Sequence, residues 1–131
     1  MLIATAEVLG FPWNSLSGSI PFGMSRLSKL WYFQVDANLI SGSLPDGFFD
    51  GKELKEIIFN DNLITGNIPS SLLPKSLTLN IIKGQQNMLN SRIPDWITNV
   101  ASLEKLYFEN NRLYGTIPDN ITNLLNLQHC K

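Results

Sequence analysis

Apolar residues recur along this chain at fixed offsets before an asparagine, in the pattern LxxLxLxxN. The clearest copies are Leu30-Phe33-Val35-Asn38, Leu54-Ile57-Phe59-Asn62 and Leu103-Leu106-Phe108-Asn111. Because side chains alternate along a strand, Phe33 and Val35 share one side while Gln34 lies on the other. The pattern therefore predicts one short β-strand per copy, with its apolar side turned inward.

A second phrase, rich in glycine and proline, follows each asparagine. The five asparagines are Asn14, Asn38, Asn62, Asn87 and Asn111, and the five prolines are Pro21, Pro45, Pro69, Pro94 and Pro118. The prolines recur every two dozen positions, with a single extra position between Pro69 and Pro94. Such a constant interval indicates one structural unit repeated along the chain.

The residue types in this phrase define a turn and an outer wall. The asparagine amide both donates and accepts hydrogen bonds, so stacked asparagines are expected to satisfy buried backbone groups at the turn, as a ladder. The glycine permits a positive φ, and the proline favours an extended segment. After four of the prolines, a residue of N-cap type predicts a short helical turn; these residues are Asp46, Ser70, Asp95 and Asp119.

A single repeat cannot stand alone. About five buried apolar side chains gain roughly 7 to 15 kcal/mol at ~1.5 to 3 kcal/mol each, less than the cost of ordering some two dozen residues at ~1 to 2 kcal/mol each. Stacked repeats share one core and pair their strands, with right-handed crossovers. We therefore predict a curved α/β solenoid over residues 1–131, with parallel strands on the concave face and short helical turns on the convex face.

The spacing resembles the plant-type class of leucine-rich repeats, LxxLxLxxNxLxGxIPxxLxxLxxL. The phrases NLISGSLPDGFF (38–49) and NRLYGTIPDNITNLLNL (111–127) match nearly every marked position. The resemblance implies a protein- or peptide-binding module of an extracellular or cell-surface receptor-like protein or receptor-like kinase. A secreted inhibitor of cell-wall-degrading enzymes and an intracellular scaffold are the alternatives. We expect about five repeats and the start of a sixth, a fragment without the terminal caps of such arrays.

The fourth repeat departs from its siblings. It is one position longer than they are, and it has Ser91 in place of glycine and Gly84 at the position of Val35, Phe59 and Phe108. We expect a local bulge between Leu77 and Gln86 to absorb the extra residue.

Residues that alternate with the inward apolar ones form the predicted concave surface, here called the strand face. Two tyrosines and an isoleucine among mixed charges are typical of a contact surface. The predicted binding residues are Tyr32, Gln34, Asp36, Glu56, Ile58, Asn60, Lys83, Gln85, Lys105, Tyr107 and Glu109.

Composition excludes several other functions. A net charge of -1 with scattered Lys and Arg argues against nucleic-acid binding, and no apolar run is long enough to span a bilayer, although a parent protein can still be anchored. The single cysteine, Cys130, rules out an internal disulfide and a CxxC metal site. We expect no metal and no cofactor. We also expect no catalysis, because the adjacent residues His129 and Cys130 point to opposite sides of a strand and cannot form a hydrogen-bonded dyad. Asn120 begins a glycosylation sequon on the outer wall.

Overall fold

The computed structural model describes residues 5–69 and 78–131, which form two parallel sheets. The first sheet contains six strands in chain order and confirms the strands predicted from the LxL steps. Its strands are β1 (Val8–Gly10), β3 (Tyr32–Gln34), β5 (Glu56–Ile58), β7 (Ile81–Lys83), β9 (Lys105–Tyr107) and β10 (His129–Cys130).

The second sheet lies where we predicted only an extended wall. Its strands are β2 (Ser17–Gly18), β4 (Leu39–Ser43), β6 (Leu63–Gly66) and β8 (Met88–Leu89), again paired in chain order. The two sheets differ in register. Tyr32 pairs with Glu56, its equivalent in the next repeat, whereas Ser41 pairs with Leu63, which lies two positions before its equivalent Thr65. The strands of the second sheet therefore slide past one another by two residues per repeat.

In the described parts of the chain, three short 3₁₀ helices connect the sheets on the convex side: Phe22–Arg26, Asp95–Asn99 and Asp119–Asn123. The N-cap prediction is wrong for Asp95 and Asp119, which are the first helical residues; Pro94 and Pro118 occupy the cap and no side chain caps the helix. The proline carbonyl accepts the first helical bond, from Ile97 or Ile121. Extended proline thus sets the start of the helix, one residue earlier than the aspartate.

The other two predicted caps behave differently. Asp46 lies in a turn in which Gly47 has φ +72° and the Phe48 amide donates to the Pro45 carbonyl. Ser70 lies outside the described residues.

The predicted bulge in the fourth repeat is absent over residues 78–86. Strand β7 pairs continuously with both neighbours, as Ile57 with Ile82 and Ile82 with Leu106. The extra residue therefore falls between Pro69 and Leu79 in the sequence, where it does not disturb the strand register. Leu77, one limit of the predicted bulge, lies outside the described residues.

The core is one continuous row of aliphatic and aromatic side chains between the sheets. Phe48 packs edge-on against Phe33 and Phe59, with ring centroids 5.3 and 6.0 Å away. The Trp96 ring is tilted against Phe49, with centroids 5.2 Å apart, and its indole donates to the Pro69 carbonyl at 2.9 Å. Aromatic side chains thus join different repeats within the core.

Gly84 lies beside two phenyl rings of the core and has no side chain of its own. A Cβ built on Gly84 would lie 2.4 Å from Phe59 and 2.8 Å from Phe108. The two phenyl groups therefore fill the space that a side chain at position 84 would occupy. This explains why the fourth repeat has glycine where its siblings have large apolar residues.

Within residues 5–69 and 78–131, no helix is both long and apolar enough to cross a bilayer.

Candidate ligand-binding face

Asparagines at the turn hold each strand to the repeat before it. The Asn62 side chain accepts from the Ile40 amide at 2.9 Å and donates to the carbonyls of Val35 and Phe59 at 3.0 and 3.2 Å. Asn38, Asn87 and Asn111 make equivalent bonds. Asn14, in the first repeat, is exposed and bonds only to carbonyls of its own repeat. The ladder fixes where each strand ends and thereby aligns the strand face.

The residue before each asparagine adopts a left-handed conformation that the sequence did not suggest. Trp13, Ala37, Asp61, Gln86 and Asn110 have φ between 52° and 57°. None of these residues is glycine, so the ladder bonds on either side must hold the backbone in a conformation disfavoured for L-residues. This sharp turn sends the chain away from the strand face and towards the second sheet.

Three outward positions per repeat make up the strand face. They are occupied by Tyr32, Glu56, Ile81 and Lys105, then by Gln34, Ile58, Lys83 and Tyr107, and then by Asp36, Asn60, Gln85 and Glu109. Ile81 was not among the predicted binding residues, because the predicted bulge left the strand register before Gln86 undefined. The pairing of Ile81 with Glu56 and Lys105 places it on this face.

The expected exposure of this face is wrong at two positions. Asp36 is only 7% exposed and Ile58 only 8%. Strands of a parallel sheet lie about 4.8 Å apart, so side chains at the same position of neighbouring repeats cover one another. Tyr32, Gln34, Lys83, Lys105 and Tyr107 remain half-buried, and the face is a close-packed surface rather than a row of free side chains.

Tyr32 anchors the acidic end of the face. Its hydroxyl donates to Gln34 Oε1 at 2.6 Å. Burial, followed by the charges of Glu56 and Asp36, raises the pKa of Tyr32 above its usual value. The phenol therefore stays neutral through the physiological range and acts as a hydrogen-bond donor beside two carboxylates.

The opposite end of the face carries basic groups around Tyr107. The Lys131 ammonium lies 5.9 Å from the centre of the Tyr107 ring, and the His129 ring is 6.5 Å away. Lys83 pairs with Tyr107 from the neighbouring strand β7, and Lys105 lies two residues before Tyr107 on β9 itself. The face thus changes from acidic at Asp36 and Glu56 to mainly basic at Lys83, Lys105 and Lys131.

Trp31, directly before β3, adds a further aromatic contact next to the strand face. Trp31 is more than one-third exposed, has its ring 5.6 Å from Tyr32, and has the Lys55 ammonium 5.9 Å from its centre. The pairing of β1, β3 and β5 places Trp31 beside the strand face. Its ring therefore extends the contact surface in this direction.

Candidate chemistry outside this face is sparse. No group of three His, Cys, Asp or Glu side chains in the described parts of the chain is placed to hold a metal ion. Cys130 is a free thiol whose pKa is raised by partial burial, and Asn120 is exposed on the Asp119–Asn123 helix.

A family model described as Leucine Rich Repeat matches residues 102–124. No curated relative matches the chain. Among solved structures, the chain resembles the ectodomain of the receptor kinase GASSHO1/SCHENGEN3 from Arabidopsis thaliana, with 31% identity and a TM-score of 0.89 over 96% of this chain and 15% of that one. It also resembles PEPR1 in a crystal structure with AtPEP1, with 29% identity and a TM-score of 0.92 over 97% of this chain and 18% of that one.

A shorter structure matches over a larger share of its own length. The ectodomain of the receptor kinase SOBIR1 from Arabidopsis thaliana has 26% identity and a TM-score of 0.84, covering 92% of this chain and 66% of that one. The chain thus spans less than a fifth of the two longer ectodomains. The five-fold repeat phrase, the two parallel sheets and these likenesses together show that the chain is a plant-type leucine-rich-repeat protein, built like the ectodomains of plant receptor kinases.

Proposed function

We propose that the chain is the peptide-binding part of a receptor-like ectodomain and that its ligand lies across the strand face. The observation that carries the proposal is the arrangement of aromatic and charged side chains, held in register over at least four successive strands by the asparagine ladder. Such a surface makes contacts but offers no group activated for catalysis. The proposed role is therefore recognition, and no enzymatic activity is assigned to these residues.

Similar proteins support a peptide as the ligand. The GASSHO1/SCHENGEN3 ectodomain was crystallised with CASPARIAN STRIP INTEGRITY FACTOR 2, and HAESA with the peptide hormone IDA. By analogy we place this chain outside the cell, on a receptor-like protein. The size of the face agrees with a peptide: six strands at ~4.8 Å spacing and ~17 Å length give roughly 500 Å², about three-fifths of one partner's share in a standard protein interface.

The proposal is tested by selecting binders from a random peptide library displayed on phage and titrating the best binder against variants. Tyr107→Ala removes a half-buried aromatic contact of the strand face, so we expect it to weaken binding by about tenfold, or ~1.4 kcal/mol. Asp119→Ala, on the convex side, is the control and should leave affinity unchanged. Equal effects of the two substitutions would disqualify the strand face as the site.

A further inference from the structure

Four side chains at one position of successive repeats carry an oxygen that is shielded from solvent and has no hydrogen-bond partner. These oxygens are Asp36 Oδ1, Asn60 Oδ1, Gln85 Oε1 and Glu109 Oε2. No other buried side-chain oxygen or nitrogen in residues 5–69 and 78–131 lacks a partner. They lie two residues after the ends of β3, β5, β7 and β9, at the third outward position of each repeat, and we call them the acceptor row.

The acceptor row is unusual because folded proteins seldom leave buried polar groups unpaired. Two residues further along, the ladder asparagines satisfy both their donors and their acceptor. The same turn therefore holds one column whose polar atoms are all bonded and one column in which each side chain has an oxygen without a partner, although the Asn60 amide nitrogen donates to Asp61 at 2.6 Å. Asp36 is the most demanding member, since its side chain is a carboxylate that is 7% exposed.

Each of the four unpaired oxygens can be satisfied only by a hydrogen-bond donor. Carboxylates only accept, and the unpaired atoms of Asn60 and Gln85 are their carbonyl oxygens. A cationic donor suits the carboxylates, because charge-assisted hydrogen bonds are the stronger kind. The last side-chain torsion turns an oxygen towards a ligand without moving the backbone. A ligand rich in donors can thus satisfy the row where the chain itself does not.

Spacing restricts the ligand further. Three strand intervals of ~4.8 Å separate Asp36 from Glu109, roughly 14 Å. An extended peptide advances ~3.3 Å per residue, so four residues cover about the same distance. Four is an even number, so the two side chains at its ends point to the same side of the peptide.

We propose that the acceptor row recognises an extended peptide bearing Lys or Arg at two positions four residues apart, with a donor side chain such as Gln midway between them. The inference rests on the proposed function and specifies the ligand of the same face. One basic side chain lies over Asp36, the central donor over Asn60 and Gln85, and the second basic side chain over Glu109.

The charges around the row make its two ends unequal. Glu56 lies on the strand next to Asp36 and favours a cation there. Lys105 lies on β9, which leads into Glu109, Lys83 lies on the neighbouring strand β7, and Lys131 stands over Tyr107. These three ammonium groups disfavour a second cation at Glu109. Asp36 is therefore the principal anchor and Glu109 the weaker one.

Two fluorescein-labelled peptides of identical composition test the spacing, GSRGQGRSG with arginines four residues apart and GSRQGRGSG with arginines three apart. In fluorescence-polarisation titrations with the 131-residue chain, we expect the first peptide to bind about tenfold more tightly. Asp36→Asn should remove most of that advantage and Glu109→Gln a smaller part. Asp95→Asn, on the convex side, is the matched control and should change nothing.

The failure of this inference differs from the failure of the proposed function. Equal affinities of the two peptides, or an Asp36→Asn variant that binds normally, would overturn the acceptor row as a track for basic peptides. If library-selected peptides then still lose affinity on Tyr107→Ala, the strand face remains a binding site with another specificity. If no selected peptide depends on Tyr107, both proposals fall.

A second readout does not require a ligand. A buried carboxylate without a partner destabilises the free chain, so Asp36→Leu should raise its Tm, by about 3 °C or more for a domain of this size, while abolishing the preference for GSRGQGRSG. A fall in Tm would mean that Asp36 is a structural group, which would contradict its role as a ligand acceptor.

Discussion

Gly84 shows how a single residue adapts one repeat to its neighbours. At the equivalent position Val35, Phe59 and Phe108 fill the core, and the two phenyl rings on either side extend over Gly84. A repeat without a side chain here is therefore as well packed as the others, because its neighbours supply the missing volume.

We predict that Gly84→Ala destabilises the chain by about 2 kcal/mol, as overpacking of a dense core does. Urea denaturation measures the effect, with Gly10→Ala as the control, since a Cβ at Gly10 meets nothing within 4 Å. Phe59→Leu frees space beside position 84, so the double variant should be more stable than the sum of the two single changes predicts. Additive effects would show that the rings do not occupy that space.

At the scale of elements, the turn after each strand depends on the repeat before it. Asn62 bonds to Val35 and Ile40 of the preceding repeat as well as to Phe59 of its own, whereas Asn14 bonds only within its own repeat. The asparagine side chain should therefore contribute less to the free energy of unfolding in the first repeat than in the middle of the array.

Asn62→Ala should accordingly cost about 3 kcal/mol, because it leaves one buried amide and several buried carbonyls without partners. The exposed Asn14→Ala should cost less than about 1 kcal/mol. Both values come from urea denaturation of otherwise identical chains, and similar losses for the two variants would argue that the ladder bonds do not stabilise the array.

The six-stranded sheet could be predicted because Phe33, Val35 and their equivalents alternate with polar residues and are buried on one side only. The second sheet could not. In β4 and β6 the inward residues Ile40 and Ile64 stand next to exposed Leu39 and Leu63, so no alternation of apolar and polar residues marks these strands. Their pairing arises from stacking, which has no local signal.

The sequence predicts which binding residues face outward, but it does not predict how deeply each of them is buried. Alternation along β3 predicts that Asp36 faces outward, yet its burial depends on side chains of neighbouring strands, some two dozen residues away. The acceptor row has the same origin. Which oxygen lacks a partner is a property of packed repeats and not of one repeat.

For the molecule as a whole, stability is a sum over stacked neighbours. Leu89 and Leu16 occupy the same position of their repeats, but Leu89 is 0% exposed and Leu16 is 43% exposed. Leu16 borders an open apolar hollow of about 690 Å³ in the first repeat, together with Leu9, Phe11 and Met24. Identical side chains thus bury different areas according to their place in the array.

Leu89→Ala is expected to cost about 3 to 4 kcal/mol and Leu16→Ala less than about 1.5 kcal/mol, because only the first leaves an enclosed cavity. Thermal and urea denaturation of both variants would measure the difference. Equal losses would mean that the repeats do not stabilise one another through a shared core.

The extra residue between Pro69 and Leu79 has a practical consequence. The chain has already been lengthened at this point without any shift in the pairing of β5, β7 and β9. A protein engineer who needs to lengthen the chain should therefore insert the added residues between Pro69 and Leu79. The paired strands before and after the insertion should then keep their register.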